Sequence, residues 1–201
     1  MDLEAERALF FDERAVGWEA KCYPDPLRER LWPMVEGFGL PVGGNVLDMG
    51  TGPGTLIPYL RRAIGSEGYI TAFDASPGMV ALAQTKCEDG QTTVVCASAM
   101  DMPFESESFD AVICFAAFPH FTDKPLAMRE MARVAKSGAW IIITHLLGRA
   151  QLAAHHGTHP AVENDHLPQN ATMRELFTQA GLPVPEVTDL ENYYEARARK
   201  P

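Results

Sequence analysis

At residues 45–56 the chain has the sequence Asn45-Val-Leu-Asp-Met-Gly-Thr-Gly-Pro-Gly-Thr-Leu56. Its first residues are apolar, as in a buried strand, and its glycines then permit a tight turn in which the backbone approaches a ligand closely. We expect a strand over Val46–Met49, with the carboxylate of Asp48 near its end, followed by a helix. A glycine-rich turn alone is weak evidence of function, because many strand-to-helix turns contain glycine.

The composition predicts one globular domain over residues 1–201. Hydrophobic residues make up 46% and charged residues 22% of the chain, and no segment approaches the roughly 20 apolar residues of a membrane helix. The first residues, Met-Asp-Leu-Glu-Ala-Glu-Arg, are acidic, whereas a secretory signal starts with basic residues. We therefore expect a cytoplasmic protein that has no membrane partner.

The charge balance argues against nucleic acid as a partner. The chain has 17 basic and 27 acidic side chains, a net charge of -10, which repels a phosphate backbone. The cysteines at positions 22, 87, 96 and 114 are far apart in the sequence. Without a C-x-x-C pair, they are expected to be reduced thiols and not a zinc or redox site.

From residue 44 onward, strand and helix signals alternate, which predicts an α/β fold with a parallel sheet covered on both faces. Two strands are continuous apolar runs and belong in the middle of the sheet, whereas the alternating pattern of the last strand suits an edge or a hairpin. The predicted strands are Val46–Met49, Tyr69–Asp74, Thr93–Cys96, Ala111–Phe115, Ala139–His145, Glu186–Leu190 and Tyr193–Arg199. The predicted helices are Leu56–Ile64, Gly78–Cys87, Leu126–Ala135 and Met173–Ala180.

Residues 1–43 form a predicted helical lid and linker before the core of residues 44–201. The pattern is roughly helical from Leu3 to Trp18 and again near Leu27 to Val35. We expect Trp18 and Tyr23 to contact a substrate from this lid. The alternative is an amphipathic helix that only packs on the sheet.

An acidic residue follows the second predicted strand. Asp74 lies about 20 positions beyond the glycine turn, where a carboxylate binds ribose hydroxyls. This fits NAD and other adenosine ligands equally. Thr55 occupies the position of the third glycine of a dinucleotide site, and Asp48 would repel a pyrophosphate. A cationic ligand is therefore the better match.

At this point the chain resembles the class I S-adenosylmethionine-dependent methyltransferases. The resemblance covers residues 45–146 in order: the Leu-Asp-x-Gly-x-Gly-x-Gly motif, Ala97–Phe104, Ser108–Ile113 and Arg129–Gly138. It implies a three-layer, Rossmann-like, seven-stranded sheet of order 3-2-1-4-5-7-6, with strand 7 antiparallel. It also implies that the cofactor, S-adenosyl-L-methionine, lies across the carboxyl ends of strands 1 to 4.

The resemblance also implies a set of cofactor contacts. At Ser98 the sequence departs from the pattern, because many relatives have an acidic residue there near the adenine amino group; Asp101 or a backbone carbonyl is the alternative. Asp74 would bind the ribose. Asp48, Gly50, Thr51, Gly52 and Gly54 would surround the methionine part, Ala75 and Met79 would line one adenine face and Ala99 and Met100 the other, and Phe115 completes the set.

Two histidines follow adjacent strands and are the candidate catalytic residues. His120 comes after the fourth strand and His145 ends the fifth, so both side chains are expected in one cleft. An imidazole titrates at about 6.5, which suits a general base. The alternatives are a family-typical residue without a catalytic role for His120 and a strand-end hydrogen bond for His145.

A histidine-rich segment follows, and we predict it to be a flap over residues 146–170. His155, His156 and His159 are the candidate substrate contacts. His155 and His159 are spaced i, i+4, so a metal site with His120 and His145 is the alternative. We favour the flap and predict no metal, because the spacing is not a recognised ligand set.

The predicted function is methyl transfer from S-adenosylmethionine to a small-molecule acceptor by in-line displacement. Such a donor is already activated, so the protein aligns the reactants, excludes water and removes a proton where needed. The alternatives are cofactor or product binding without turnover, binding of a metal or metal complex by the histidine flap, and an NAD oxidoreductase. The acceptor and the oligomeric state do not follow from the sequence.

Overall fold

A computed structural model describes residues 3–88, 90–157 and 161–201. The strands form one sheet of order β3-β2-β1-β4-β5-β7-β6, which confirms the predicted order. The strands are β1 (Asn45–Met49), β2 (Tyr69–Asp74), β3 (Thr92–Cys96), β4 (Phe109–Phe115), β5 (Ala135–His145), β6 (Glu186–Leu190) and β7 (Tyr193–Arg199). The helices are α1 (Leu3–Asp12), α2 (Trp18–Cys22), α3 (Asp25–Arg28), α4 (Leu31–Glu36), α5 (Ile57–Ile64), α6 (Pro77–Gln84), α7 (Lys124–Val134), α8 (Arg149–His156) and α9 (Asn170–Gln179), with a 3-10 turn at Phe118–His120.

Both faces of the sheet are covered by helices, as alternation predicted. On one face, Leu47 and Val112 pack in a core that α7 and α9 complete. On the other face, Val46 and Ile113 pack in a core with α4 and α5. Successive strand residues therefore point to opposite cores, which explains why these strands are apolar throughout.

The central and terminal strands differ in how well their pattern predicted their position. β4 lies between β1 and β5, in the middle of the sheet as expected. β7 lies antiparallel between β5 and β6, so the hairpin was correct and the edge position was wrong. Its alternating pattern arises because Tyr194 and Ala196 are fully buried against the core, while the intervening Glu195 is partly exposed.

Several boundaries differ from the prediction. The predicted helix Leu126–Ala135 ends one residue early, because β5 starts at Ala135, which pairs with Phe109. The N-terminal helical stretch is interrupted: α1 ends at Asp12, and Gly17 has a φ of 78° before α2. The predicted helix over Leu27–Val35 is divided into α3 and α4.

Polar contacts join α1 and α2 to the core, whereas α4 packs in it through buried apolar residues. None of the residues of α1 is buried. Asp12, at the end of α1, accepts hydrogen bonds from the Ser76 hydroxyl at 2.9 Å and from the Gly78 N–H at 2.6 Å. The Lys86 ammonium donates to Glu19 at 2.9 Å. Across the described ranges, no helix has both the length and the apolar character of a membrane span.

Candidate functional site

A cavity of about 500 Å³ lies beyond the carboxyl ends of the central strands. Its floor comes from the turn after β1, the end of β2 and the segments after β4 and β5, and α1 and α2 lie over it. Open parallel sheets bind ligands at this edge. The cavity therefore occupies the place that the sequence predicted for a cofactor and an acceptor.

The glycine turn is tied to the end of β2 by backbone hydrogen bonds. Thr51 N–H donates to the Phe73 carbonyl at 2.9 Å, and Gly52 N–H donates to Asp74 Oδ2 at 2.8 Å. The other oxygen of Asp74 accepts the Ser76 N–H at 3.0 Å. Gly50, Thr51, Gly52 and Asp74 all line the cavity, so this part of the predicted cofactor set is brought together. Burial raises the pKa of Asp74 above its usual value, while the backbone N–H bonds oppose that shift.

Asp48 lies behind the turn. Its side chain is 2% exposed and accepts a 2.6 Å hydrogen bond from the Thr51 hydroxyl. Burial raises its pKa to about 6. Asp48 and Gly54 are not among the described residues that line the cavity. A Cβ on Gly54 would lie 3.1 Å from Ala83, which indicates close packing of the turn on α6.

The predicted adenine contacts converge on the same cavity. Ala75, Met79, Ala99 and Met100 line it, together with Phe115. Met79 is held by the Ser76 hydroxyl, which accepts its N–H at 3.1 Å and begins α6. Neither Ser98 nor Asp101, the two side chains considered for the adenine amino contact, lines the cavity in the described ranges. Ser98 Oγ instead accepts the Met100 N–H at 3.0 Å, and the backbone of Ser98 pairs with that of Asp101.

Two glycines of the turn are expected to respond differently to alanine. A Cβ on Gly50 would lie 2.4 Å from the Cβ of Ala117, and φ is 68°. We expect Gly50→Ala to reduce the free energy of unfolding by about 2–4 kcal/mol, from backbone strain and overpacking. A Cβ on Gly52 meets nothing within 4 Å, so Gly52→Ala should cost about 1 kcal/mol of backbone strain and mainly reduce cofactor affinity.

Denaturant unfolding and titration with S-adenosylhomocysteine measure the two effects separately. The pair forms a matched comparison, because both glycines have a positive φ and both line the cavity. Equal losses of stability in the two variants would show that the approach to Ala117 is unimportant.

The two predicted catalytic histidines both line the cavity but differ in environment. Nδ1 of His145 accepts the Leu147 N–H at 2.8 Å, and burial lowers its pKa to about 3. The neutral ring therefore carries its proton on Nε2 and acts as a hydrogen-bond donor. Nδ1 of His120 lies 2.8 Å from Asp165 Oδ2, an arrangement that leaves Nε2 to accept a proton.

The flap histidines are partly placed by α8. His155 and His156 line the cavity, and the ring centroids of His156 and His120 are 5.0 Å apart. Burial lowers the pKa of His156 to about 4. His159 lies outside the described residues. Within the part of the chain that the structure describes, no group of three or more His, Cys, Asp or Glu side chains is placed to hold a metal ion.

Aromatic side chains of the lid form the outer wall of the cavity. Trp18 and Tyr23, the predicted substrate contacts, line it, and Phe11 does so as well. Tyr23 lies 5.6 Å from Phe115 between ring centroids, and Phe11 contacts His120 edge-on at 4.9 Å. The lid residues therefore contact both the cofactor side and the histidine side of the cavity.

Two residues next to the site, Asp165 and Arg7, were not predicted from the sequence. Asp165 is 8% exposed in its side chain and joins His120 to Arg7 of α1, whose guanidinium lies 2.7 Å from Asp165 Oδ1. Neither residue belongs to a motif. The neighbouring histidines were the one available signal.

Comparisons with known proteins agree with the fold. Residues 47–143 match the family described as "Methyltransferase domain". A ubiquinone/menaquinone biosynthesis C-methyltransferase UbiE from Idiomarina loihiensis is 32% identical over 120 residues, which are 57% of this chain and 48% of the relative. The corresponding protein of Vibrio campbellii is 31% identical over 57% of this chain and 46% of its own length. The chain thus spans about half the length of these curated relatives.

Solved structures share the whole architecture. A methyltransferase from Haloferax volcanii, solved in complex with the activator Trm112, superposes with a TM-score of 0.77 at 22% identity, covering 94% of this chain and 97% of that one. A SAM-dependent methyltransferase from Aquifex aeolicus gives 0.72 at 20% identity, covering 96% and 97%. At these identities the similarity establishes the fold. Together with the geometry of the glycine turn and Asp74, it supports the identification of residues 47–143 as the methyltransferase domain of a class I S-adenosylmethionine-dependent methyltransferase.

Proposed function

We propose that this protein transfers a methyl group from S-adenosylmethionine to a small, largely apolar acceptor, with His120 as general base. The observation that carries the proposal is the continuity of the cavity. The glycine turn and Asp74 line the same cavity as His120, His145 and the lid aromatics. Donor and acceptor sites are thereby joined, as an in-line transfer requires.

S-adenosylmethionine supplies a methyl group that its sulfonium already activates. Asp74 would hold the ribose hydroxyls, and Ala75, Met79, Ala99 and Met100 would enclose the adenine. These contacts direct the rest of the donor toward the histidines, which also line the cavity. The residues of the chain thus fix the donor before an acceptor binds.

The acceptor side provides alignment, a dry environment and proton transfer. Trp18, Tyr23 and Phe11 would hold an apolar molecule and exclude water. His145 would donate a hydrogen bond through Nε2–H, because its Nδ1 is already an acceptor. His120 would remove a proton through Nε2, because its Nδ1 faces the Asp165 carboxylate. The two histidines predicted as alternative bases would therefore have different tasks.

Enclosure of the cavity supports a small molecule as the acceptor. Residues 1–43 would act as a lid and residues 146–170 as a flap over one domain, since both segments contribute to the cavity wall. The net charge of -10 disfavours nucleic acid. The curated relatives are named for C-methylation in quinone biosynthesis, but the chain covers about half their length, so the acceptor atom is left open in the proposal.

Methyl-labelled S-adenosylmethionine and pooled small metabolites test the proposal. We expect a labelled product and S-adenosylhomocysteine in equal amounts, with a loss of at least about 100-fold in His120→Gln, in line with the contribution of a general base. Tight binding of S-adenosylhomocysteine without a product in any pool would contradict catalysis and favour a binding protein. Full activity of His120→Gln would retain the transfer but remove the base.

A further inference from the structure

We infer that Asp165 and Arg7 are positioning residues that prepare His120 to act as a base and that make this preparation depend on closure of the lid and the flap. The inference rests on the proposed function, in which His120 accepts the proton of the acceptor. It assigns a role to two residues that belong to no motif of the chain. Asp165 does not line the described cavity, whereas Arg7 does; the role assigned to each is exerted through His120.

The geometry is a chain of three side chains from three segments. Arg7 lies in α1, Asp165 follows the flap helix α8, and His120 ends the turn after β4. The Asp165 carboxylate bridges them, with one oxygen 2.7 Å from the Arg7 guanidinium and the other 2.8 Å from His120 Nδ1. The exposed fractions of the Arg7, Asp165 and His120 side chains are 21%, 8% and 15%. These bonds are therefore shielded from bulk water.

The carboxylate selects one tautomer of His120. An ionised carboxylate only accepts hydrogen bonds, so Nδ1 of His120 must carry the proton that it shares with Asp165. The proton acceptor of the ring is then Nε2. Without this bond, the proton would be free to reside on either nitrogen, and a ring with Nε2–H could not act as the base.

Arg7 fixes the orientation of the carboxylate. Its guanidinium binds Oδ1 of Asp165, so that Oδ2 stays directed at Nδ1 of His120. Removal of Arg7 would leave the carboxylate without this bond. The other charged or titratable groups that interact electrostatically with Arg7, Asp165 or His120 are Lys124, His145, His156 and Asp74.

The three segments meet only when the lid and the flap are both in place. α1 contributes no buried residue, and its contacts with the core include the polar bonds of Arg7 and Asp12 and the edge-on contact of Phe11 with His120. The flap is fixed to the same carboxylate residue, because His156 Nδ1 lies 2.5 Å from the Asp165 carbonyl oxygen. Arg7 also donates to the Ala161 carbonyl. An open lid would remove Arg7 from Asp165, and an open flap would remove Asp165 from His120.

The first test is the tautomer of His120, measured by NMR on protein with ¹⁵N-labelled histidine and saturating S-adenosylhomocysteine. His120→Gln assigns the signal. At pH 8 we expect the wild-type ring to carry one proton, on Nδ1. A ring protonated on Nε2, or on both nitrogens, would overturn the inference; the second result would make the Asp165 contact a simple ion pair that holds the flap.

Variants then separate the two positioning residues. In Asp165→Ala we expect the Nε2–H form to become a substantial part of the population. In Arg7→Met, which retains an aliphatic side chain, we expect a smaller rise of the same Nε2–H form, because the Asp165 carboxylate loses a bond that orients it toward His120. The matched control is Asp189→Ala, because Asp189 anchors the other end of α8 through Arg149 at 3.1 Å and does not contact His120. A change of equal size in this control would assign the effect to the flap as a whole and contradict the role of Asp165.

Hydrogen exchange tests the coupling to closure. We expect amides of residues 3–12 to exchange at least tenfold faster in Asp165→Ala than in Asp189→Ala. Equal exchange in both would show that the lid closes independently of the base. These measurements need no acceptor: failure to find a methylated product would contradict the proposed function and leave the tautomer result valid, and a wrong tautomer would leave methyl transfer intact.

Discussion

Replacing Asp74 with alanine should weaken the binding of S-adenosylhomocysteine by at least about 100-fold. A hydrogen bond to a charged group contributes about 1.5–3 kcal/mol. The substitution would remove two such bonds, from the ribose hydroxyls to the carboxylate. At about 1.4 kcal/mol for each factor of ten, this amounts to two or more orders of magnitude. The substitution also removes the acceptor for the Gly52 and Ser76 N–H groups, so the glycine turn would lose one of the two bonds that tie it to β2, while the bond from Thr51 to Phe73 would remain.

Isothermal titration with S-adenosylhomocysteine measures this loss. Asp74→Asn, which retains one acceptor oxygen without the charge, should bind about tenfold more weakly than wild type, in proportion to the lost charge assistance. Asp110→Ala is the control. Asp110 pairs with Lys136 at 2.9 Å near the start of β4, at the ends of the strands that lie away from the cavity. A loss of less than fivefold in Asp74→Ala would mean that the ribose is held elsewhere.

The cofactor side of the site could be predicted because its residues follow each other in short motifs. The turn at Gly50–Gly52 and the carboxylate of Asp74 are fixed by the ends of two adjacent parallel strands. Strand order then brings them together without any further information. The same logic placed His120 and His145 in one cavity, because they follow neighbouring strands.

The acceptor side resisted prediction because its contacts are long-range. Asp165 reaches His120 over 45 residues and Arg7 over 158 residues, and neither contact leaves a periodic pattern in the sequence. The orientation of His145 was equally invisible, because it depends on one backbone N–H at Leu147. The residue type predicted that a histidine is the general base. The hydrogen-bond partners decide whether the ring of His120 or that of His145 is suited to this role.

Local pattern also has limits within the fold. β7 alternates between buried and exposed residues in the manner of an edge strand, yet it lies inside the sheet. Its inner face packs on the core through Tyr194, Ala196 and Ala198, while its other face carries polar residues such as Arg197, whose guanidinium lies 4.4 Å from the Trp140 ring. A long polar side chain can thus cover an interior strand, and alternation alone does not distinguish this case.

Asp48→Asn should make the protein without cofactor more stable at pH 7.5. The pKa of Asp48 is raised to about 6 from 3.8, so the folded state binds more protons than the unfolded state between these values. The stability that comes from the raised pKa of Asp48 is fully present below pH 3.8 and is lost as the pH rises through 6. At neutral pH, ionised Asp48 then costs up to about 3 kcal/mol. Asparagine removes that cost and still accepts the Thr51 hydroxyl, so we expect a melting temperature about 3–8 °C higher.

The gain should shrink as the pH falls toward 5, because wild-type Asp48 is then increasingly protonated. Asp110→Asn provides a control of opposite sign. Burial raises the pKa of Asp110, but the Asn45 N–H and the Lys136 ammonium outweigh it and lower the pKa overall, so removal of that carboxylate should reduce stability at neutral pH. A wild-type protein more stable than Asp48→Asn at pH 7.5 would show that the bond to Thr51 outweighs the desolvation of the carboxylate.

With saturating S-adenosylmethionine, the wild type should become more stable than Asp48→Asn or equally stable. The cofactor carries a sulfonium and an ammonium, and positive charge next to the turn favours ionised Asp48. In the wild type, binding of the cofactor would therefore recover the free energy that desolvation of Asp48 had cost. Asp48→Asn would lack this gain and bind the cofactor at least about 10-fold more weakly. Thermal melts with and without cofactor measure both effects. If the stability advantage of Asp48→Asn persists unchanged at saturation, Asp48 supports the turn but does not sense the charge of the ligand.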